Sequence, residues 1–168
     1  MTAQTGREVE VTNPAVNGFT TLDLIGQELP YVERLKPDLV TILIGVNDLV
    51  QGRQTGQYRA SLATIYEAVA ARNLPSGRAL VVSIPNWSVT PAARQYGDPE
   101  EIRHLTDTFN DIAHEEADAR GFVWVDVTTA SISGLGSADW ISSDGLHPGD
   151  TQYAAWAEVI WHSVRSAW

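Results

Sequence analysis

The chain has 168 residues, 43% of them hydrophobic, which is enough for one domain with a real core and is unlike a disordered tail. Its 11 basic and 21 acidic residues give a net charge of -10, which argues against nucleic acid and anionic membranes, because both reward clusters of Lys and Arg. No apolar run approaches the roughly 20 residues of a membrane-spanning helix, and the lack of cysteine excludes disulfide scaffolds, thiolate metal sites and cysteine nucleophiles.

Apolar, β-branched runs alternate with amphipathic stretches from the N-terminus onward. Residues 8–16 predict a strand and residues 19–35 predict a helix. Thr20 and Asp23 fit a capping box at the start of this helix, and Pro30 is expected to kink or break it. The helix should place one apolar face against the core, formed by Leu22, Ile25, Leu29, Val32 and Leu35.

The continuous apolar run 39–46 is the clearest strand, because a strand buried on both faces lacks polar alternation. The later elements are a helix at about 55–72, a strand at 79–86, a helix capped by Asp98 that ends at Gly121, a strand at 122–127 and a last helix after Asp150. This alternation predicts a single α/β domain over residues 1–168, with a parallel sheet and helices on both faces. In such sheets chemistry occurs at the carboxyl ends of the strands.

One loop with chemical potential precedes the last helix, where Asp144 stands three residues ahead of His147. A histidine can take and return a proton near pH 7, and a carboxylate bonded to one ring nitrogen fixes the tautomer and stabilises the charged ring. Gly145 permits the tight turn that brings the two side chains together. A solvated turn, with Asp150 capping the helix, fits the same residues equally well, so this motif alone leaves both interpretations open.

Two further loops follow predicted strands. Gly45 allows a sharp turn after the strand at 39–46, and Asn47 offers side-chain N–H groups that could face a developing oxyanion. Gly18 stands just before the Thr20 cap, where a backbone N–H at a helix N-terminus is a natural anion donor. Taken singly, both segments are better explained as ordinary turns between a strand and a helix, with Asn47 and Asp48 as turn residues.

The combination is more specific than its parts. A Gly-x-Asn-Asp run after a central strand, a glycine at an earlier turn and an Asp-x-x-His run before the last helix resemble the SGNH hydrolases, also called GDSL-type esterases and lipases. The surrounding runs NGFTTLDL, PDLVTILIGVND and SDGLHP fit the same family, and the resemblance covers the chain from about residue 9 onward.

This resemblance implies a three-layer, flavodoxin-like α/β fold and ester hydrolysis through a Ser-Asp-His triad. His147 would act as base and then acid, Asp144 would orient it, and Gly18 and Asn47 would form the oxyanion hole, with Gly45 and Asp48 supporting the motif. The substrate would be a small acyl ester, of the carboxylesterase, lysophospholipase or carbohydrate acetylesterase type. No cofactor, metal, nucleic acid or stable membrane insertion is implied.

The family's nucleophile is a serine in a Gly-Asp-Ser motif, which normally lies a few dozen residues before the glycine that matches Gly18. Only seventeen residues precede Gly18 here, and none of them is serine. The serines further along fall in predicted helices, strands or outer loops, or beside the loop of Asp144 and His147, and none follows a strand on a tight glycine turn. We therefore expect the nucleophile to lie outside this chain, with the family's first strand and first helix.

The family's sheet order would put that strand between residues 8–16 and the strand at 39–46, so its loss leaves two facing edges unpaired. Either the edges close up, or another chain or segment fills the slot. We expect a truncated chain, either a fragment or the product of a late start codon. As written the chain has no apolar signal core and would be cytoplasmic, but a signal peptide could have been lost with the missing part, so the compartment stays open.

Other functions remain open at this point. The absent serine also fits an inactive fragment, a pseudoenzyme or half of a split enzyme that only binds a ligand or a partner chain. Metal-dependent hydrolysis has little support, because no histidine has the spacing of a metal motif. Trp87 and Trp140 either line an acyl or sugar pocket or cover the core as rim aromatics.

Overall fold

A computed structural model describes residue 6 and residues 8–167. The first helical segment, α1, has three consecutive parts: an α-helical turn at Thr21–Asp23, a π-helical stretch at Leu24–Glu28 and an α-helix at Leu29–Leu35. The later elements are β1 (Val40–Ile42), α2 (Val46–Val50), α3 (Thr55–Ala70), β2 (Ala79–Val82), a 3-10 turn (Ala93–Gln95), α4 (Pro99–Asp118), β3 (Val123–Val125), α5 (Thr128–Ile132), α6 (Asp150–Val164) and a 3-10 turn (Arg165–Ala167).

The three strands form one parallel sheet in the order β1-β2-β3. Thr41 of β1 pairs with Leu80 of β2, and Leu80 pairs in turn with Val123 of β3. The predicted α/β class and the strands predicted at 39–46, 79–86 and 122–127 are therefore confirmed. None of the helices in the described part of the chain is long and apolar enough to span a bilayer.

Helices cover both faces of the central strand. All four residues of β2 are buried, and their side chains alternate between two apolar clusters. Val81 packs with the core side chains of α1, α3 and α4. Leu80 and Val82 pack on the opposite face with Trp156 and Val164 of α6. This burial on both faces explains why the sequence of β2 is apolar without alternation.

Strand β1 is covered on one face only. Ile42 is 6% exposed and belongs to the core cluster of α1, α3 and α4, whereas Thr41 and Leu43 on the opposite face are exposed, Leu43 by 40%. Among the described residues, β1 pairs only with β2, so its second edge is open. This is the edge at which the sequence predicts a missing strand.

The strand predicted over residues 8–16 is wrong. These residues form no strand, and Val11 and Val16 are 79% and 52% exposed. A parallel strand needs a neighbour for its N–H and C=O groups. In the described part of the chain no strand lies between this segment and β1, so its alternating valines have nothing to pair with.

The helix predicted over residues 19–35 forms, but its buried face differs from the predicted one. The π-helical stretch just before Pro30 adds residues to the turn, and Leu29 donates its N–H to the carbonyl of Leu24. Leu24 is buried and the predicted Ile25 and Leu29 pack against the core, whereas Leu22 and Leu35 are 57% and 47% exposed. The distortion expected at Pro30 is thus a π-helical stretch. This stretch changes the number of residues per turn and therefore which apolar side chains share one face of the helix.

Candidate active site

Asp144 and His147 are hydrogen-bonded on the loop before α6. Oδ2 of Asp144 lies 2.5 Å from Nδ1 of His147. The other carboxylate oxygen accepts the backbone N–H groups of Leu146 at 2.8 Å and of His147 at 3.0 Å. Gly145 sits between them with φ +73°, a left-handed conformation that favours glycine. The loop therefore brings the acid to the histidine within one turn.

These contacts hold the carboxyl of Asp144 in its charged form. The hydrogen bond from His147, followed by the two backbone N–H groups, lowers the pKa of Asp144 from 3.8 to about 2. The bond to Nδ1 leaves the other ring nitrogen, Nε2, as the atom available for proton exchange. Within the described residues, Nε2 of His147 has no hydrogen-bond partner.

The rest of this loop is fixed by its backbone. Ser142 donates its N–H to the carbonyl of His147 at 2.8 Å, and Ala92 donates its N–H to the carbonyl of Gly145 at 3.0 Å. Gly149 donates to the carbonyl of Trp140 at 2.9 Å. A side chain at Gly149 would collide with the backbone of Asp139, so glycine is required there. The orientation of His147 is thus determined by the fold as well as by Asp144.

The Gly-x-Asn-Asp run forms the turn from β1 into α2. Gly45 has φ +125°, and a Cβ there would lie 2.5 Å from the hydroxyl of Tyr58, which itself donates to the carbonyl of Ile44 at 3.1 Å. Glycine is therefore needed for both its backbone angle and its size. Asn47 donates one side-chain N–H to the carbonyl of Phe19 at 2.9 Å. Since an amide nitrogen carries two hydrogens, a second N–H remains for another acceptor.

Asp48 fastens this turn to the start of α1. It is fully buried and accepts the backbone N–H of Thr21 at 2.8 Å and the hydroxyl of Thr21 at 2.5 Å. Nε of Arg53 lies 3.5 Å from the same carboxylate. The sequence singled out Asp48 only as the neighbour of Asn47 in a motif. Its hydrogen-bond partner, Thr21, lies 27 residues away in the chain.

Gly18 lies at the turn that leads into α1. The capping box predicted for Thr20 and Asp23 is present, with N–H to side-chain bonds of 2.9 and 3.4 Å. Gly18 has φ +87°, and nothing lies within 4 Å of the position where its Cβ would be. Its backbone N–H donates to no group in the described part of the chain.

One cavity of about 380 Å³ brings these groups together. Gly18, Asn47 and His147 all line it. Its size is typical of a site for a small molecule. The remaining wall is largely apolar and includes Val16, Leu43, Val50, Trp87, Val89, Tyr96, Leu135, Leu146, Tyr153 and Trp156.

The two tryptophans singled out from the sequence differ in their positions. Trp87 is 6% exposed, lines the cavity and donates its indole N–H to Thr106 at 3.1 Å. Trp140 is 7% exposed and donates to the carbonyl of Ser131 at 2.9 Å. Trp140 is not among the side chains that line the cavity and packs beside Gly134.

Sequence reasoning missed several polar residues of the cavity wall, among them Asn86 and Tyr153. Asn86 follows β2 in the same way that Asn47 follows β1, so its position at the sheet edge could have singled it out. Tyr153 lies on α6, is 52% exposed and lines the cavity. Burial, followed by the charge of Asp144, raises the pKa of Tyr153, which keeps its phenol neutral.

Two of the other histidines make contacts within the fold. His114 stacks on Trp124 with ring centroids 4.8 Å apart, and Nδ1 of His162 lies 2.8 Å from the carbonyl of Glu158. Among the residues that the structure describes, no three His, Asp or Glu side chains converge as a metal site would require.

The comparisons with known proteins agree with this fold. The chain matches the model of the GDSL-like lipase/acylhydrolase family over residues 1–155, and it belongs to that family. The family is one of ester hydrolases. No curated protein sequence matches the chain.

Solved structures show the same fold at low sequence identity. TesA is 22% identical, with a TM-score of 0.75, over 99% of this chain and 84% of TesA. The psychrotrophic esterase EstA from Pseudoalteromonas sp. is 16% identical, with a TM-score of 0.73, over 99% of this chain and 82% of EstA. An acetyl xylan esterase from Geobacillus stearothermophilus is 19% identical, with a TM-score of 0.67, over 88% of this chain and 68% of that enzyme.

Proposed function

We propose that this chain carries most of the active site of an SGNH-type serine ester hydrolase, with Asp144 and His147 as the acid–base pair and Gly18 and Asn47 as the oxyanion hole. The observation that carries the proposal is the shared cavity. His147, hydrogen-bonded to Asp144, lines the same cavity as Gly18, with its free backbone N–H, and Asn47, with its spare amide N–H. These are the groups that acyl transfer requires besides its nucleophile.

In the proposed reaction the attacking group is a serine hydroxyl from outside these 168 residues. His147 Nε2 removes the hydroxyl proton while the serine oxygen attacks the ester carbonyl carbon, and Asp144 stabilises the imidazolium that results. The tetrahedral intermediate collapses, the C–O bond to the alcohol breaks, and the imidazolium returns the proton to the leaving oxygen. Water then repeats the sequence and releases the carboxylic acid.

The negative charge of the intermediate needs donors that are already in place. Asn47 is held by its bond to Phe19, and the turn that carries Gly18 is held by the bonds between Asp48 and Thr21. Donors fixed in this way need no reorganisation during the reaction, which is why one such group is typically worth about 10²–10³ in rate. Gly45 and Asp48 accordingly act as positioning residues.

The names of similar proteins support ester hydrolysis and leave the substrate open. The solved structures include an esterase, a lipase/acylhydrolase and an acetyl xylan esterase. We extend the general reaction to this chain and take a small acyl ester as the substrate. The apolar cavity wall suits a short acyl chain.

The open side of β1 supports a second function, in which this chain by itself binds a ligand or a partner chain without catalysis. Among the described residues, the second edge of β1 has no partner, and Thr41 and Leu43 on one face of this strand are exposed. The indole N–H of the buried Trp156 also lacks a hydrogen-bond partner. An unpaired edge and a buried unsatisfied donor are both unfavourable. We infer that a complementing segment occupies the open edge of β1 and brings the nucleophile; without it, the chain would only bind a ligand or partner.

Hydrolysis of p-nitrophenyl acetate and butyrate tests the two functions. We define the extended chain as these 168 residues preceded by all residues that the same reading frame encodes upstream of Met1. The proposed enzyme predicts that the extended chain is active and that His147→Ala abolishes the activity. If the extended chain is inactive, the binding function is the one supported. If the 168-residue chain is itself active and loses this activity in His147→Ala, the binding function is excluded.

A further inference from the structure

Asn86 follows β2 at the sheet edge that also holds Asn47 after β1, and both side chains line the same cavity. We propose that Asn86 is a substrate-positioning residue that donates a hydrogen bond to a second oxygen of the ester substrate, separate from the carbonyl oxygen bound at Gly18 and Asn47. This inference rests on the proposed ester hydrolysis and narrows its substrate class.

The side chain of Asn86 is held in one orientation. Ser88 donates its hydroxyl to Oδ1 of Asn86 at 2.7 Å, and Ser88 is itself only 7% exposed. The backbone N–H of Asn86 donates to the hydroxyl of Ser131 at 3.0 Å. Because Oδ1 is occupied by Ser88, the amide nitrogen Nδ2 is the group left for a ligand.

The loop around Asn86 is rigid. On one side, Ile84 exchanges two hydrogen bonds with the side chain of Asn110, at 2.8 and 2.9 Å. On the other side, Trp87 donates its backbone N–H to Pro85 at 2.9 Å and its indole N–H to Thr106 at 3.1 Å. Asn86 is therefore fixed before any ligand arrives, which reduces the entropy lost on binding.

The amide nitrogen itself is free and reachable. In the described part of the chain, Nδ2 of Asn86 has no hydrogen-bond partner, and it is not among the buried unsatisfied atoms. Two N–H groups on a fixed, half-buried side chain at a cavity wall form a ready donor site for a neutral oxygen. Because the net charge of the chain is -10, it does not attract an anionic ligand electrostatically.

The position of Asn86 indicates which oxygen it would bind. β1 and β2 are neighbouring strands, and Asn47 and Asn86, in the loops that follow them, line one cavity. In an ester of a polyol or sugar, a hydroxyl on the carbon next to the one that carries the ester oxygen lies close to the carbonyl, where a second donor in the same cavity can reach it. An ester of a simple alkyl alcohol has no such oxygen. The geometry therefore favours acyl esters of polyols or sugars.

Two matched esters test this without requiring catalysis. Glycerol 1-monoacetate and propyl acetate share the acetyl group and a three-carbon alcohol, and they differ by two hydroxyls. We would titrate each into the ¹⁵N-labelled 168-residue chain and follow the side-chain NH₂ resonances of Asn86 by NMR. The wild-type chain should bind the glycerol ester about two- to tenfold more tightly, the range expected for one neutral hydrogen bond, and its Asn86 resonances should shift.

Variants of Asn86 and Ser88 make the test specific. Asn86→Leu and Asn86→Ala, which differ in size but both lack the donor, should bind the two esters with equal affinity. Ser88→Ala should reduce the preference, because it releases the amide. Equal affinities in the wild type, unshifted Asn86 resonances, or a preference that survives in both Asn86 variants would overturn the proposal. Since the titration needs no nucleophile, these results are independent of whether the extended chain hydrolyses esters.

Discussion

The carboxylate of Asp48 accepts both the backbone N–H and the hydroxyl of Thr21, at 2.8 and 2.5 Å, in a fully buried position. Through this pair of bonds the turn after β1, which carries Asn47, is joined to the first turn of α1, which follows Gly18. The two donors proposed for the oxyanion hole come from distant parts of the chain, and Asp48 holds them in one geometry.

Asp48→Asn should therefore destabilise the whole fold. The amide keeps the shape of the carboxylate but weakens two charge-assisted hydrogen bonds, so we expect the free energy of unfolding to fall by about 2–3 kcal/mol. Urea unfolding followed by tryptophan fluorescence measures this value. Asp107→Asn is the control, because Asp107 is exposed and forms only a surface ion pair with Arg103. Equal stability of the two variants would show that the Asp48 contact is dispensable.

Gly45→Ala should cost more than an ordinary substitution of a left-handed glycine. A methyl group at Gly45 meets the ring and hydroxyl of Tyr58 at 2.5–2.9 Å, whereas Gly52, with φ +71°, has nothing within 4 Å. Gly52→Ala should lose about 1–2 kcal/mol for its backbone angle alone, and Gly45→Ala a further 1–3 kcal/mol for the overlap. Chemical unfolding of both variants tests the difference, and similar losses would contradict the close approach of Tyr58.

The ionisation of Asp144 should depend on His147. Because the folded state lowers the pKa of Asp144 from 3.8 to about 2, its contribution to stability is complete above pH 3.8 and is lost as the pH falls through about 2. In His147→Ala the first cause of the shift is removed, so the titration should move back toward 3.8. NMR titration of the side-chain carboxyl carbon reports both midpoints. A wild-type midpoint near 4 would contradict the 2.5 Å contact.

Asn47→Ala should reduce the turnover of the extended chain with little effect on substrate binding. The loss of one oxyanion donor is expected to lower kcat by about 10²–10³-fold while KM changes little, because this donor acts mainly on the charge of the intermediate. Asn73→Gly is a matched control: Asn73 is a remote residue with φ +51°, which glycine tolerates. Kinetics of p-nitrophenyl butyrate hydrolysis separate the two constants. A rise in KM at constant kcat would assign Asn47 to ground-state binding instead.

The parts of the fold that could be predicted are those in which local pattern and burial agree. Strand β2 is buried on both faces, so its run of apolar residues was sufficient. Asp98 caps α4 by accepting the N–H of Glu100 at 2.9 Å, a local bond that its sequence context specifies.

The parts that could not be predicted depend on distant neighbours. Residues 8–16 have the alternation of a strand but no partner to pair with. The helical face of α1 was misplaced because the π-helical stretch at Leu24–Glu28 changes the period on which the prediction relied.

The candidate site shows the same division. Asp144 and His147 lie within one loop, so their spacing alone suggested the contact. The bonds that Thr21 donates to Asp48 and that the backbone N–H of Asn86 donates to Ser131 join separate parts of the chain, and no local pattern encodes them. Only the packed sheet brings these side chains together.

The most direct test of the proposed function is the rate of p-nitrophenyl acetate hydrolysis by the extended chain and by its His147→Ala variant, at equal folded concentrations. If His147 is the general base and acid, the wild type is active and the variant is slower by about 10²–10⁴-fold although it remains folded. An active wild type whose rate is unchanged in His147→Ala would contradict the assignment of the Asp144–His147 pair as the catalytic centre.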